Sequence, residues 1–419
     1  MDFITSDMAT IMLHADHPST PDVAVPLHVS TTFVQGKAFN DKFAISKNWL
    51  PASTDQPDLS AHVYSRQTTE VRSRLESILG HLEQGSMAYA VTYGSGLSAI
   101  FAVFQLIQPK RILTSTGGYN GTHGIIEMYM RGRSVELFYI ENDKDGSLLK
   151  SLEAGDLVWL ESPQNPCGEV ADLHYYTTNR KPGVIVGIDS TFAPPPLQCP
   201  LKHNVDIVMH SSTKFLGGHS DLLGGVLITK DIHVRDQIYH FHLFKDRVRL
   251  GSNMGSMEAW LLLRSMRSYK LRILQQSSSA TTLVKWLNSR ISGESNDETL
   301  DIIEKVWHAS IPANPGHEAA LRQGSGFSGV FSVEFKSLHH ARLICSNLKL
   351  FINATSLGGC ESLVEWRAAT GASVEPTICR FSIGLEDVED LQKDLSAGML
   401  QVKKLVEDMD EKKSSEGGN

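Results

Sequence analysis

GVIVGIDSTFAPPP (183–196) and DIVMHSSTKFLGGHSD (206–221) are two β-branched, apolar runs that each end in polar residues. Such runs are expected of buried parallel strands that deliver side chains to a rim. The first delivers Asp189; the second delivers Ser211, Thr213 and Lys214, followed by the flexible pair Gly217-Gly218. Taken alone, a lysine after a strand is a solvated surface charge. An aspartate, two hydroxyls and a lysine at neighbouring strand ends are what pyridoxal phosphate requires. The lysine forms a Schiff base, the carboxylate keeps the pyridine nitrogen protonated, and the hydroxyls bind phosphate. Ser211-Ser212-Thr213-Lys214 also matches the S-x-x-K pattern of serine acyl enzymes. There the serine opens a helix, whereas Ser211 ends a β-type run. No K-T-G occurs in the chain, and Ser220-Asp221 is only half of S-D-N.

The remainder of the chain sets wide bounds. Its 419 residues exceed one ordinary core and predict two domains. Hydrophobic content of 41% and charged content of 21% are those of an ordinary soluble protein. A net charge of −8 without a long basic run argues against nucleic-acid binding. No apolar stretch approaches a membrane span, and MDFITSDMATIM lacks a basic region and a cleavage signal. Cys167, Cys199, Cys345, Cys360 and Cys379 are scattered and odd in number, as expected of reduced thiols in a cytoplasmic protein. The 17 histidines include no H-E-x-x-H, so no metal site is expected.

Residues 1–65 form a Pro-, Ser-, Thr- and Asp-rich arm, with a long loop at 36–62. From 66 to 265, strand-like and helix-like segments alternate. MAYAVTY, RILTST, VELFYI, LVWLES, GVIVGID, DIVMHSS and GVLITK predict a mostly parallel sheet with helices on both faces. Helical periodicity over 256–290 predicts an interdomain helix, so 266–409 comprises a linker helix and a smaller α+β domain. Within that domain GVFSVEF and ICRFSIGL read as strands, and 339–351 and 388–409 as helices. Residues 410–419 read as a disordered tail.

Gly94, Gly96 and Ala99 in YGSGLSA match G-x-G-x-x-A. A dinucleotide site would need an acidic residue at the end of the next strand, and none precedes Glu127. What remains is a glycine-rich turn at a helix N-terminus, which holds an anion such as a phosphate. Tyr119, in STGGYNGTHG, lies just past RILTST and so on the same rim, where its ring can stack on a planar pyridine. Glu161 and Asn165 end LVWLESPQNP; the Asn165 amide can donate to a phenolate oxygen. Tyr64 and Arg66 in VYSRQ offer a hydroxyl and a planar guanidinium fork to phosphate. Arg380, embedded in an apolar strand, is either paired internally or held for a substrate carboxylate.

Assembled, these motifs resemble the trans-sulfuration (Cys/Met metabolism) family of pyridoxal-phosphate enzymes, and in particular its cystathionine γ-synthases. The resemblance runs from about His14 to the final helix. It is carried by YSR (64–66), SGL (95–97), GGYNGT, WLESPQNP, DSTF, SSTK with GGHSD, SLGG (356–359) and RFSIGLED. It implies α/β fold type I, aspartate aminotransferase-like, with a mostly parallel seven-stranded sheet and a smaller C-terminal α+β domain. It also implies that Lys214 is the Schiff-base lysine and proton shuttle, Asp189 the pyridinium partner and Tyr119 the stacking ring. Ser95, Gly96, Leu97, Thr191, Ser211 and Thr213 would hold the cofactor, with Asn165 at its phenolic oxygen. Tyr64 and Arg66 would reach the phosphate of a neighbouring subunit in a homotetramer of dimers that share active sites. Ser356 and Arg380 would hold the substrate carboxylate, with Tyr64 and Thr355 beside it.

The departures concentrate where substrate would enter. Gln67-Thr68-Thr69 replaces the usual continuation of YSR. Gly121 stands where methionine γ-lyases place a cysteine, Thr355 stands where many relatives carry glutamate, and Glu365-Trp366-Arg367 replaces a small or apolar run. The function implied is γ-replacement on an O-acyl-L-homoserine through a vinylglycine-type intermediate, with a thiol or a carbon nucleophile, in primary or secondary amino-acid metabolism. Cystathionine γ- or β-lyase activity is the alternative. A degenerate, non-catalytic protein is opposed by the intact Lys214, Asp189, Tyr119 and Arg380.

Overall fold

In a computed structural model of the chain, the structure describes residues 7–16, 22–33, 62–83, 88–230, 233–234, 237–370 and 374–416. The expected loop at 36–62 lies outside them except for His62. The chain divides into two units, Met1–Glu161 with Asp172–Lys270, and Ser162–Ala171 with Leu271–Asn419.

The first unit is built on a seven-stranded sheet. Its strands are β1 (Tyr89–Tyr93), β2 (Arg111–Thr114), β3 (Glu136–Tyr139), β4 (Leu157–Glu161), β5 (Ile185–Asp189), β6 (Ile207–His210) and β7 (Gly225–Thr229). The order is β1-β7-β6-β5-β4-β2-β3. Strands β2 to β6 pair in parallel, and β7 runs antiparallel to both β6 and β1. All seven strands are those that the alternating pattern predicts. β5, β6 and β7 are buried at every residue, which is why they read as unbroken apolar runs rather than alternating ones. The helix Gly96–Ile107 packs its apolar residues with Val91, Ile112, Trp159, Ile185, Ile207 and Met209 in one core. Each such side chain contributes roughly 1.5–3 kcal/mol when fully buried. A short hairpin, β8 (His233–Val234) and β9 (Gln237–Ile238), precedes the helix Tyr239–Leu250.

Two features of this unit depart from the sequence reading. The arm carries a helix, Met8–His14, capped by the Asp7 side chain on the Ala9 N–H. The single helix expected over 256–290 is two, Ser256–Met266 and Tyr269–Asn288, with Arg267 as C-cap between them. Arg267 turns out to serve the arm: it pairs with Asp16 at 2.7 Å, and Asp16 also pairs with Arg74.

The second unit has a five-stranded sheet of order β10-β11-β14-β13-β12. These are β10 (Ile303–Trp307), β11 (Val330–Phe335), β12 (Ile352–Asn353), β13 (Leu363–Trp366) and β14 (Ile378–Ser382). Only β12 and β13 pair in parallel. Phe331 and Phe381 stack at 5.3 Å, and Phe351 meets Phe381 edge-on at 5.6 Å. The helices Leu338–Asn347 and Val388–Glu416 close this core with Ala341, Ile344, Leu391, Leu395 and Met399. The last helix continues through Glu416, so the tail expected from 410 is helical for most of its length. The division between units falls after Lys270 rather than at 265, and Ser162–Ala171 groups with the C-terminal unit. The Pro166 carbonyl accepts from the Ser332 hydroxyl at 2.8 Å, and the Ala171 carbonyl accepts from Gln323 Nε2 at 2.9 Å.

Candidate active site

The parallel strands of the first unit all end on one rim, which is where open α/β sheets bind their ligands. β5 ends at Asp189 and its register partner on β4 is Glu161. Asp189 is buried. The Thr191 N–H donates to its Oδ1 at 3.0 Å, and the Thr191 hydroxyl donates to the same oxygen. The Ser211 N–H in turn donates to Thr191 Oγ1 at 2.8 Å, tying the end of β5 to the residue after β6. Both bonds fall on Oδ1; among the described residues no donor is assigned to Oδ2. Burial pushes this carboxyl above the usual carboxylate range, while Thr191 and the charges of His210 and Lys214 pull it back. A buried carboxylate with an open oxygen fits a cationic N–H donor such as a pyridinium.

Lys214 sits in the turn that follows β6, half-buried. Its N–H donates to the Ser211 carbonyl at 3.1 Å, and its own carbonyl accepts from Gly218 at 2.7 Å. The Thr213 hydroxyl accepts from the Gly224 N–H at 3.0 Å. The Ser265 hydroxyl donates to the Leu216 carbonyl at 2.9 Å and to that of Gly217. The turn is therefore held from three sides, which fixes the backbone that carries the lysine.

The N-terminus of helix Gly96–Ile107 faces the same residues. Ser95 caps it, accepting from the Ser98 N–H at 3.1 Å. A Cβ on Gly96 would stand 2.8 Å from Met209 Cε and 3.4 Å from Ser211 Oγ. The bare backbone of this helix start is thus what lets the Ser211 hydroxyl come so close, and an anion can take the N–H groups and the hydroxyl together. Leu97 packs against the core beside them.

Tyr119 caps the helix Asn120–Met130 and is 47% exposed. Its N–H donates to Glu161 Oε2 at 2.8 Å. Gly118, at φ +95°, lies where a Cβ would be 2.7 Å from that same oxygen, so both its dihedral and its missing side chain are needed. A Cβ on Gly121 would fall 2.5 Å from Tyr119 Cε1 and 2.8 Å from Leu97 Cδ2. The ring is seated over a glycine.

Tyr64 and Arg66 are exposed, and the Tyr64 carbonyl accepts from the Gln67 N–H at 2.9 Å. The Arg66 guanidinium lies 5.7 Å from the Tyr64 ring centroid, and Tyr64 bridges to Thr32.

In the second unit, β14 places Arg380 directly opposite Glu365 of β13. Arg380 Nη1 donates to Asn165 Oδ1 at 3.0 Å, and Nη2 donates to the Ser356 carbonyl at 2.8 Å and to Glu365 Oε2. Arg367 Nη1 donates to Glu365 Oε1 at 2.8 Å. Arg380, Asn165 and Ser356 therefore meet, and Thr355 beside them is exposed. Ser356 adopts φ +84°, a strained value for a residue with a side chain. Burial lowers the Arg380 guanidinium to about 10, with Glu365 favouring its charge and Arg367 opposing it. The resemblance assigns Arg380 to the substrate carboxylate; in the structure of the chain alone it is paired internally, with Asn165, the Ser356 carbonyl and Glu365. In the sequence Glu365 stands out only as a departure from the family pattern. A charged residue among the buried positions of L-V-E-W was the available signal for its role.

A seven-stranded, mostly parallel sheet in one unit and a smaller five-stranded α+β unit are the architecture of the fold-type I pyridoxal-phosphate enzymes. The chain belongs to the Cys/Met metabolism PLP-dependent enzyme family, whose model matches residues 9–400. It is 32% identical to the cystathionine γ-synthase of Escherichia coli (strain K12), over 94% of this chain and 98% of that one. It is 28% identical to the cystathionine γ-lyase of Bacillus subtilis (strain 168), over 93% of this chain and 98% of the relative. The crystal structure of metB from Corynebacterium glutamicum superposes with a TM-score of 0.80 at 27% identity, covering 96% of this chain and 100% of that one. Among the described residues no helix is long and apolar enough to cross a membrane.

Proposed function

We propose that this chain exchanges the γ-substituent of an O-acyl-L-homoserine for an incoming thiol or carbon nucleophile, as a cystathionine γ-synthase-like transferase. When bound, pyridoxal phosphate supplies an electron sink conjugated to the substrate α-carbon. Asp189, through Oδ2, would keep the pyridine nitrogen protonated. Ser211, Thr213 and the N–H groups that open at Gly96 would hold the phosphate, and Tyr119 would stack on the ring. Lys214 would take the α-proton and later a β-proton, which γ-chemistry requires of one mobile base. Arg380 would read the α-carboxylate. Tyr64 and Arg66 would reach a neighbouring subunit's phosphate in a homotetramer, consistent with their exposure.

Within the family, Gly121 supports a reading other than methionine γ-lyase. With the Tyr119 ring where it is, no side chain fits there. This opposes the methionine γ-lyase arrangement, in which a cysteine occupies that position. The second reading is a cystathionine lyase, favoured by the Bacillus subtilis relative. Incubation of the holoenzyme with O-acetyl-L-homoserine, with and without cysteine, separates them by mass spectrometry. Cystathionine formed only with cysteine supports a thiol nucleophile. Release of 2-oxobutanoate without incorporation of cysteine points to a different nucleophile. If no O-acylhomoserine is ever consumed, the transferase reading fails and the lyase reading is tested with cystathionine.

A further inference from the structure

Arg380 is already engaged. A guanidinium has five N–H donors, and it grips a carboxylate as a fork through either the Nε–Nη2 edge or the Nη1–Nη2 edge. Both edges need a hydrogen on Nη2. In the structure both Nη2 hydrogens are taken, by the Ser356 carbonyl and by Glu365. A substrate carboxylate cannot be gripped in this way while Glu365 stays.

Glu365 has somewhere to go. Its second oxygen already accepts from Arg367 Nη1 at 2.8 Å, and Arg367 Nε is buried without a hydrogen-bond partner. The three side chains are 5%, 6% and 11% exposed for Arg380, Glu365 and Arg367. Two guanidiniums and one carboxylate leave one uncompensated positive charge, which an arriving anion relieves.

We infer that Glu365 occupies, in the free enzyme, the place of the substrate α-carboxylate, and that an incoming carboxylate displaces it from Arg380 onto Arg367. Glu365 is a specificity-determining residue: a ligand without a carboxylate cannot open the pair. The inference rests on the reading that Arg380 receives the substrate carboxylate, and the experiment separates the two.

The holoenzyme is titrated with L-alanine, which carries the carboxylate but no γ-leaving group, and with L-alaninamide, which lacks the charge. Binding is followed by the cofactor absorbance. Glu365→Gln removes the competitor, so the L-alanine Kd falls by about tenfold while that of L-alaninamide changes little. Arg367→Gln has the opposite effect, because Glu365 then has nowhere to move, and the L-alanine Kd rises. If Glu365 is merely structural, Glu365→Gln weakens or leaves unchanged the binding of L-alanine, and the inference is overturned. If Arg380→Lys leaves the ratio of the two affinities unchanged, the assignment of Arg380 to the carboxylate falls instead. Should Glu365→Gln fail to fold, the Arg367 variant decides alone: L-alanine binding no weaker than in the parent overturns the inference.

Discussion

At Asp189 the folded chain holds a carboxyl that is costly without its counter-ion. Burial raises its folded pKa above the unfolded value, so folding favours the protonated form. The penalty is absent at acid pH, where the group is neutral in both states, and grows as pH rises through the folded pKa. The apo form of Asp189→Asn is therefore expected to melt higher than apo wild type at neutral pH, with the gap closing below about pH 4. Asparagine keeps an oxygen for Thr191. With cofactor added, the order should reverse, since only the carboxylate stabilises a protonated pyridine. An apo Asp189→Asn no more stable than wild type at neutral pH would contradict this account of the site.

Elements in this chain are fixed as much by buried ion pairs as by apolar periodicity. The helix Glu70–Gly80 carries Arg72 and Arg74, both fully buried. Arg247, from the helix Tyr239–Leu250, reaches Glu76 on it, while the Thr92 N–H and hydroxyl donate to the same Glu76 oxygen at 2.9 and 2.7 Å. Burial and the nearby Arg247 bring Arg72 down to about 9, against the pull of Glu76. Removing Glu76 leaves the buried Arg247 without its carboxylate, so Glu76→Ala should cost about 3–5 kcal/mol in urea unfolding. A loss below about 1 kcal/mol would show that water replaces the carboxylate.

None of that network was legible in the sequence, because its partners lie as far as 171 residues apart and charge carries no period. The seven sheet strands were legible, because buried parallel strands announce themselves as apolar runs between turns. The rim positions of Lys214, Asp189, Ser211, Thr213 and Tyr119 were legible for a related reason: each follows or ends such a run. Two short strands of the second sheet were not. β12 has only two residues, and β13 interrupts its apolar run with the charged Glu365. The pairing of Arg380 with Glu365 depended on β13 and was hidden with it.

At the scale of the whole molecule, acid sensitivity has a definable source. His308 is buried; its Nε2 faces the Ser328 carbonyl at 3.0 Å, and its Nδ1 lies 2.7 Å from Ser310 Oγ. Burial lowers it to about 4, so the unfolded chain takes the proton first as pH falls. Stability present at pH 7 is then lost between about pH 6.5 and pH 4, by about 3 kcal/mol. His308→Gln should flatten that loss in urea midpoints compared at neutral pH and at about pH 4.5. An equal loss in the variant would place the sensitivity elsewhere.

The ten residues Ser162–Ala171 also have a consequence for synthesis. They leave the ribosome between β4 and the helix Leu173–Asn179, yet their partners come much later: Ser332 lies 166 residues after Pro166, and Arg380 lies 215 after Asn165. At about 5–20 residues per second, Asn165 waits roughly 10–40 s for Arg380 to be made. During that interval the β-sheet of the first unit can form while Pro166 and Asn165 still lack the Ser332 and Arg380 that they bond in the folded chain. The nascent chain thus carries a segment that belongs to a body not yet translated, and slowing translation downstream of residue 270 would lengthen the time for which proteases and chaperones meet it.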